Sequence, residues 1–330
     1  MSDTTAKLLV SPSPHVHIHD SIERNMYDVI IALIPALIAS VIFFGWAPLA
    51  LTVTSIASAI FFEWIITRFV MGKKELTITD GSAIITGFLL ALNVPANLPI
   101  WILLIGNFAA IALAKMPFGG LGNNIFNPAI LGRVFLLVSF PKQMTIYPPA
   151  HQILAAGTDA TTGATPLAIA KGVLAGSPDY SLDMLPSATE MFLGQLSGSF
   201  GEVSAIALLI GFVYLLLRKV ITWHIPVSIL GTAFVFSGIM WLIDPTMYMS
   251  PVLQLMTGGM LIGAIFMATD YVTSPMSTGG QILYGVMIGL ITMVIRFWGS
   301  YPEGMSFAIL FMNGFTPMIN QYIKPRLFRK

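Results

Sequence analysis

Ten largely apolar stretches, each closed by a charge, a glycine or a proline, set the terms on which this chain can fold. They run over roughly 27–45, 50–71, 81–93, 98–115, 127–140, 203–217, 226–243, 252–268, 281–298 and 304–323. A helix of about 20 apolar residues crosses the roughly 30 Å hydrocarbon layer of a bilayer. Charged residues make up only 9% of the chain and hydrophobic ones 56%, with mean hydropathy +0.83, too few polar groups to cover a water-facing surface. Backbone polar groups in lipid must be satisfied within the segment, so these stretches read as helices. The expected fold is an all-α polytopic membrane protein with about ten transmembrane helices. Cysteine is absent, which excludes disulfides, thiolate metal sites and iron–sulfur clusters from this chain. A net charge of +1 offers no basic excess for nucleic acid. The first 26 residues are too polar for a secretory signal.

Charge assigns sides to the spans. With the N-terminus cytoplasmic, the inner face collects Lys7, Arg24, Arg68, Lys73, Lys74, Lys115, Arg218, Lys219, Lys324, Arg326, Arg329 and Lys330. The outer face receives Lys142, Lys171 and Arg296, while Arg133 stays inside a span. Both termini are therefore expected in the cytoplasm. The expected organisation is a cytoplasmic arm over 1–26, a five-helix repeat over 27–140, an outer loop over 141–202, a second five-helix repeat over 203–323 and a basic tail over 324–330. The long outer loop is punctuated by Pro148, Pro149, Gly157, Gly163, Gly176 and Pro178. Loops of this length are usually functional or disordered.

Spans 81–93 and 127–140 are too short for ordinary crossings. Pro95 and Pro99 follow the first, and Asn127-Pro128 reads as a cap and first helical residue for the second. Helices broken at membrane depth survive where they line a protein cavity. Gly81 and Ala91 match Gly258 and Ala268 at a constant offset, with Asn93 opposite Asp270; Asn124, Phe126, Pro128 and Ile130 match Asn313, Phe315, Pro317 and Ile319 at a larger one. An odd number of spans separates the copies, so the repeats are expected to be inverted, a transporter device that places the pathway at their interface.

The outer loop contains Asp159-Ala160-Thr161-Thr162-Gly163-Ala164-Thr165-Pro166-Leu167. Thr165 suits a helix N-cap, with Pro166 at the first helical position. The same stretch resembles the Asp-x-x-(Ser/Thr)-Gly-Ala-Thr acceptor motif of proteins modified by a dedicated flavin transferase. That resemblance implies FMN joined to Thr165 through a phosphoester, with Asp159, Thr162, Gly163 and Ala164 as motif neighbours. A capping threonine can also be an acceptor, so the two readings are compatible. Thr162 stands where Ser is common.

Four further stretches extend the resemblance over nearly the whole chain: Ile78 to Ala83, Phe118 to Ala129, Arg218 to Val227, and Ala268 to Pro275. They are similar to the family that holds RnfD of the Rnf electron-transport complex and NqrB of the sodium-pumping NADH:quinone oxidoreductase. The short N-terminal region favours the Rnf branch. The resemblance implies a fold like that of urea-transporter-like proteins with inverted repeats. It implies one component of a translocase, inert alone, passing electrons between ferredoxin and NAD with coupled Na⁺ or H⁺ movement. It implies RnfA, RnfB, RnfC, RnfE and RnfG, a flavin transferase and membrane lipid as partners. It extends to a non-covalent riboflavin, associated with the quinone-reductase relative, without placing that group on particular residues. Alternatives are the quinone-reducing relative itself and a non-redox channel of the same architecture, which has no use for a flavinylated threonine.

Charges inside spans are functional suspects. Glu63 is open between an ion route and, with Arg68 five residues on, snorkelling or a structural pair, and Arg133 between pairing with a flavin or an acid and a purely structural contact. Asp80 suits a helix N-terminus, and ion coordination is the other reading for it and for Asp270. His15, His17 and His19 alternate, as a metal site or a partner-binding arm would have them. No residue is assigned to catalysis or to a metal.

Overall fold

In a computed structural model the described residues are 22–72, 80–149, 163–194 and 196–324. They form helices with no strand. In chain order these are α1 (Ile22–Phe44), α2 (Ala47–Ile65), α3 (Ser82–Leu92), α4 (Ile100–Ala109), α5 (Pro128–Ser139), α6 (Pro141–Thr145) and α7 (Pro166–Leu174). There follow α8 (Ala188–Leu193), α9 (Ala205–Leu217), α10 (His224–Ile243), α11 (Pro251–Leu255), α12 (Met260–Ile262), α13 (Thr278–Trp298) and α14 (Met305–Tyr322). Wider π turns continue α2 over Ile66–Val70, α4 over Ala110–Lys115 and α12 over Gly263–Met267. Such turns recur at functional sites, because one extra residue leaves a backbone group free and re-aims the side chains after it.

Five helical segments are long and apolar enough to cross a membrane: Ile22–Phe44, Ala47–Val70, Ile100–Phe118, His224–Ile243 and Thr278–Trp298. Shorter apolar helices cover Ser82–Leu92, Pro128–Ser139 and Ala205–Leu217. Large apolar side chains such as Ile38, Val53, Phe61, Val235 and Leu242 stand exposed on the long helices, as expected where the surrounding medium is lipid. The protein is an all-α polytopic membrane protein.

The short helix α3 is buried on nearly every side, with Leu90, Ala91 and Leu92 wholly enclosed. It is the centre of the first half, packed between α1, α2, α4 and α5. Its counterpart is not the continuous span expected over 252–268. The chain breaks after Leu255, turns through Gly258 and Gly259 with φ of 64° and 66°, and resumes at Met260. Only glycine enters that left-handed region without a Cβ penalty, so two glycines in a row fix the break. Gly81, with φ of 76°, starts α3 in the same conformation.

The smaller repeat offset is therefore matched in three dimensions to within a residue. The larger offset is not: Asn127 caps α5 and Pro128 begins it, whereas Pro317 lies inside α14. With α11 and α12 together standing opposite α3, the two halves follow the same order of elements, α1 to α5 and α9 to α14. Equivalent helices also meet, α1 against α9 and α5 against α14, as they would beside a pseudo-twofold axis. Asn127 ties the halves together, since its Nδ2 donates to the Met267 carbonyl at 3.1 Å while its Oδ1 caps α5.

Candidate functional site

Thr165 opens α7, and its backbone is extended while Pro166 supplies the first helical residue. Its Oγ1 accepts a hydrogen bond from the Ala168 N–H at 3.1 Å. The expected cap is thus present, and it uses an oxygen lone pair and leaves the hydroxyl proton free. Gly163 N–H donates to the Tyr147 carbonyl at 3.2 Å, which pins the residues before the cap. A Cβ at Gly163 would sit 2.3 Å from Ser197 Oγ, so any larger residue there would force the Ser197 side chain to turn away. Ala164 is exposed and Thr165 half-buried.

A solvent-open cleft of about 420 Å³ lies beside this cap. Thr165, Tyr147, Tyr180, Tyr301, Pro302 and Glu303 are among the residues lining it. Lys171, one turn on, donates to the Gly299 carbonyl and, at 2.8 Å, to that of Tyr301. It fastens α7 to the α13–α14 connection, and partial burial lowers its ammonium below the usual lysine value. Asp159 and Thr162 lie outside the described residues, as do His15, His17 and His19.

Behind the cleft is a buried charge cluster. Arg133, from the middle of α5, donates to Glu303 and, at 2.6 Å, to Ser306 Oγ. Of the readings open for Arg133, the structure shows an acid partner. Tyr147 Oη donates to the other Glu303 oxygen at 3.3 Å. Arg296 is not at an outer surface, as its place in the charge count required, but 3% exposed inside the protein. It donates to the carbonyls of Gln254 at 2.7 Å, Thr257 at 2.6 Å and Gly258 at 3.2 Å, and to Gln254 Oε1 at 3.0 Å.

A second buried pair occupies the other end of the bundle. Lys115 Nζ lies 2.6 Å from Glu63 Oε2 and 2.6 Å from Ser82 Oγ, with both charges almost wholly buried. Of the readings open for Glu63, the structure shows a structural pair, and Lys115 makes it. Lys115 is accordingly not an exposed inner-face charge. Asp80 Oδ1 accepts from Ser82 N–H at 2.9 Å and from Ser82 Oγ at 2.5 Å, the helix-start role expected of it. Lys115 and Ser82 help line a cavity of about 90 Å³, together with Asn124, Asn127, Ile221 and Asp270. Residues of all four stretches that carried the family resemblance meet there.

Comparison with known proteins agrees with this convergence. The family model described as NQR2, RnfD, RnfE matches residues 9–329. The chain belongs to that family. The D component of the Na⁺-translocating ferredoxin:NAD⁺ oxidoreductase complex of Acetobacterium woodii is 42% identical over 323 residues, covering 97% of this chain and 95% of the relative. The D component of the proton-translocating ferredoxin:NAD⁺ oxidoreductase complex of Clostridium ljungdahlii is 42% identical over 331 residues with the same coverage. The D component of the ion-translocating oxidoreductase complex of Escherichia coli is 34% identical over 347 residues, covering 97% of each chain. In this member of the NQR2, RnfD, RnfE family, the Thr165 cleft and the Lys115 cavity stand at opposite ends of α5, one past Leu137 and the other at Asn127 and Pro128.

Proposed function

We propose that the chain is the membrane component RnfD of an ion-translocating ferredoxin:NAD oxidoreductase of the Rnf type, carrying FMN as a phosphoester on Thr165. The observation that carries this reading is the Thr165 hydroxyl at the edge of an open cleft lined by Tyr147, Tyr180 and Tyr301. Flavin supplies one- and two-electron chemistry without any protein thiolate, in keeping with a chain that has no cysteine.

The residues present fit such a group. The Thr165 oxygen keeps its capping bond to Ala168 N–H after esterification, because the bond uses a lone pair. The first N–H groups of α7 favour a phosphate anion beside them. The three tyrosines offer flat aromatic faces and Lys171 holds α7 in place. The cavity at Ser82, Asn124, Asn127 and Asp270 offers amide donors and acceptors of the kind that would hold the non-covalent riboflavin.

The positive-inside bias supports cytoplasmic termini and an outer Thr165 loop in a prokaryotic inner membrane. It survives moving Lys115 and Arg296 into the interior, since one leaves each side of the count. The chain has no site of its own for NAD or an iron–sulfur cluster in its sequence pattern, so it acts with RnfA, RnfB, RnfC, RnfE and RnfG, matured by an exported flavin transferase.

The test is ultraviolet fluorescence of the full chain on a denaturing gel, beside Thr165→Ala, in a host that exports a flavin transferase. A fluorescent wild-type band that is lost in the variant supports the assignment. A dark wild-type band, beside a known acceptor that fluoresces in the same host, refutes it.

A further inference from the structure

Behind Glu303, which lines the Thr165 cleft, the fold brings together four charges from separate parts of the chain. Arg133 comes from α5, Arg296 from α13, Glu303 from the α13–α14 connection and Glu202 from the segment ahead of α9. Their partners are unequal. Arg133 is paired with Glu303. Arg296 is occupied by four oxygens of the helix break, all of them carbonyl or amide. Among the described residues, the Glu202 side chain has only the Ser199 N–H, which donates to its Oε1 at 3.1 Å.

The Oε2 of Glu202 has no hydrogen-bond partner among the described residues, and the side chain is 6% exposed. A carboxylate buried with a bare oxygen and no guanidinium of its own is costly, and the neutral acid relieves most of that cost. Glu303 stands between this acid and water. It lines the cleft directly and receives the Tyr147 hydroxyl, which lines the cleft as well.

We propose that Glu202 is a proton-holding residue of the buried cluster, exchanging its proton with the Thr165 cleft by way of Glu303 and Tyr147. Burial first and the Glu303 carboxylate second push Glu202 up to about 8, while Arg133, the Ser199 N–H and Arg296 oppose that shift. Burial and Glu303 likewise keep the Tyr147 phenol protonated, so it serves as a donor at the cleft. Negative charge arriving in the cleft would tighten the hold of both acids on a proton. The site thus has the makings of a converter between local charge and proton uptake. The inference concerns only residues of this chain and stands whether or not Thr165 carries flavin.

The experiment is infrared spectroscopy of the full chain, without flavin loading, titrated from about pH 6 to about pH 10. Wild type minus Glu202→Gln cancels the other buried acids. The expected difference is a protonated-carboxyl carbonyl band at neutral pH that is lost on alkaline titration. Glu303→Gln removes the neighbouring negative charge and should lower the midpoint of that loss by roughly one pH unit. Tyr147→Phe should keep the midpoint and slow deuterium exchange of the band several-fold. Absence of the band from the difference spectrum overturns the proposal, and unchanged exchange in both Tyr147→Phe and Glu303→Gln overturns the route. If Glu202→Gln does not fold, the Glu303→Gln shift decides: a lower midpoint supports the assignment and an unmoved one rejects it.

Discussion

Lys115 and Arg296 hold equivalent places in the two halves of the protein. Each stands in the last turn of its helical segment, α4 with its π turn for Lys115 and α13 for Arg296. Each turns its charge inward, to the point where a short helix begins. Lys115 reaches Ser82 at the first residue of α3, and Arg296 reaches the Thr257 and Gly258 carbonyls just before α12. The chemistry differs with the acceptor. The ammonium meets one carboxylate and one hydroxyl, whereas the planar guanidinium spreads over four oxygens.

Removing Lys115 should therefore be more damaging than removing the pair. Lys115→Ala leaves Glu63 buried without the ammonium, a cost of about 3–5 kcal/mol. Lys115→Met combined with Glu63→Gln replaces the pair with neutral groups of similar size and should recover most of that loss. Detergent-denaturation midpoints of the three proteins check it. A double variant no more stable than Lys115→Ala would show that the charges themselves hold α3.

Arg296→Lys should behave as a disruptive change despite keeping the charge. One ammonium cannot reach the Gln254, Thr257 and Gly258 oxygens together, and each buried acceptor left bare costs about 1–3 kcal/mol. The expected result is a midpoint close to that of Arg296→Ala, with faster proteolysis at residues 256–259. A near-wild-type Arg296→Lys protein contradicts the reading.

Gly258 links this break to the candidate attachment site. A Cβ there would stand 2.0 Å from Leu167 Cδ1, on the helix that carries Thr165, and 2.9 Å from Arg296. Its φ of 64° adds about 1–2 kcal/mol of backbone strain to any alanine. Gly258→Ala should lower both stability and flavin loading, and adding Leu167→Ala should restore loading in part. Gly259→Ala has similar strain but a milder contact, 3.0 Å to Glu202 Oε2, and should affect stability more than loading. Band fluorescence normalised to protein measures the difference.

These relationships mark the boundary of what the sequence discloses. The Thr165 cap, Pro166 and the Asn127 cap are local signals, and each appears where its residues predict it, whereas the break at Gly258 and Gly259 falls inside a stretch that hydropathy reads as one span. Glu63 and Lys115 are 52 residues apart, and nothing local joins them. A hydropathy window assigns a charge at the end of a span to the interface, so it places Lys115 and Arg296 at surfaces. Which way such a side chain turns depends on the helix packed against it. Glu303 gives a faint signal, an acid in Pro302-Glu303-Gly304 between two apolar spans, and Glu202 gives none. The larger repeat offset fails because the same four residue types fall around the start of α5 but inside α14.

The two roles of Thr165 can be separated by side-chain chemistry. Ser keeps both the capping oxygen and an esterifiable hydroxyl, so Thr165→Ser should retain the cap and a measurable share of the fluorescence. Asn caps as well as Ser or better but has no hydroxyl, so Thr165→Asn should be dark with stability within a few tenths of a kcal/mol of wild type. Ala loses both, and Thr165→Ala should be dark and about 1 kcal/mol less stable. Running the three variants on one gel, beside thermal midpoints of the same preparations, distinguishes a lost ester from a loosened helix. If Thr165→Asn fluoresced like wild type, the flavin would sit on another residue and Thr165 would be a cap alone.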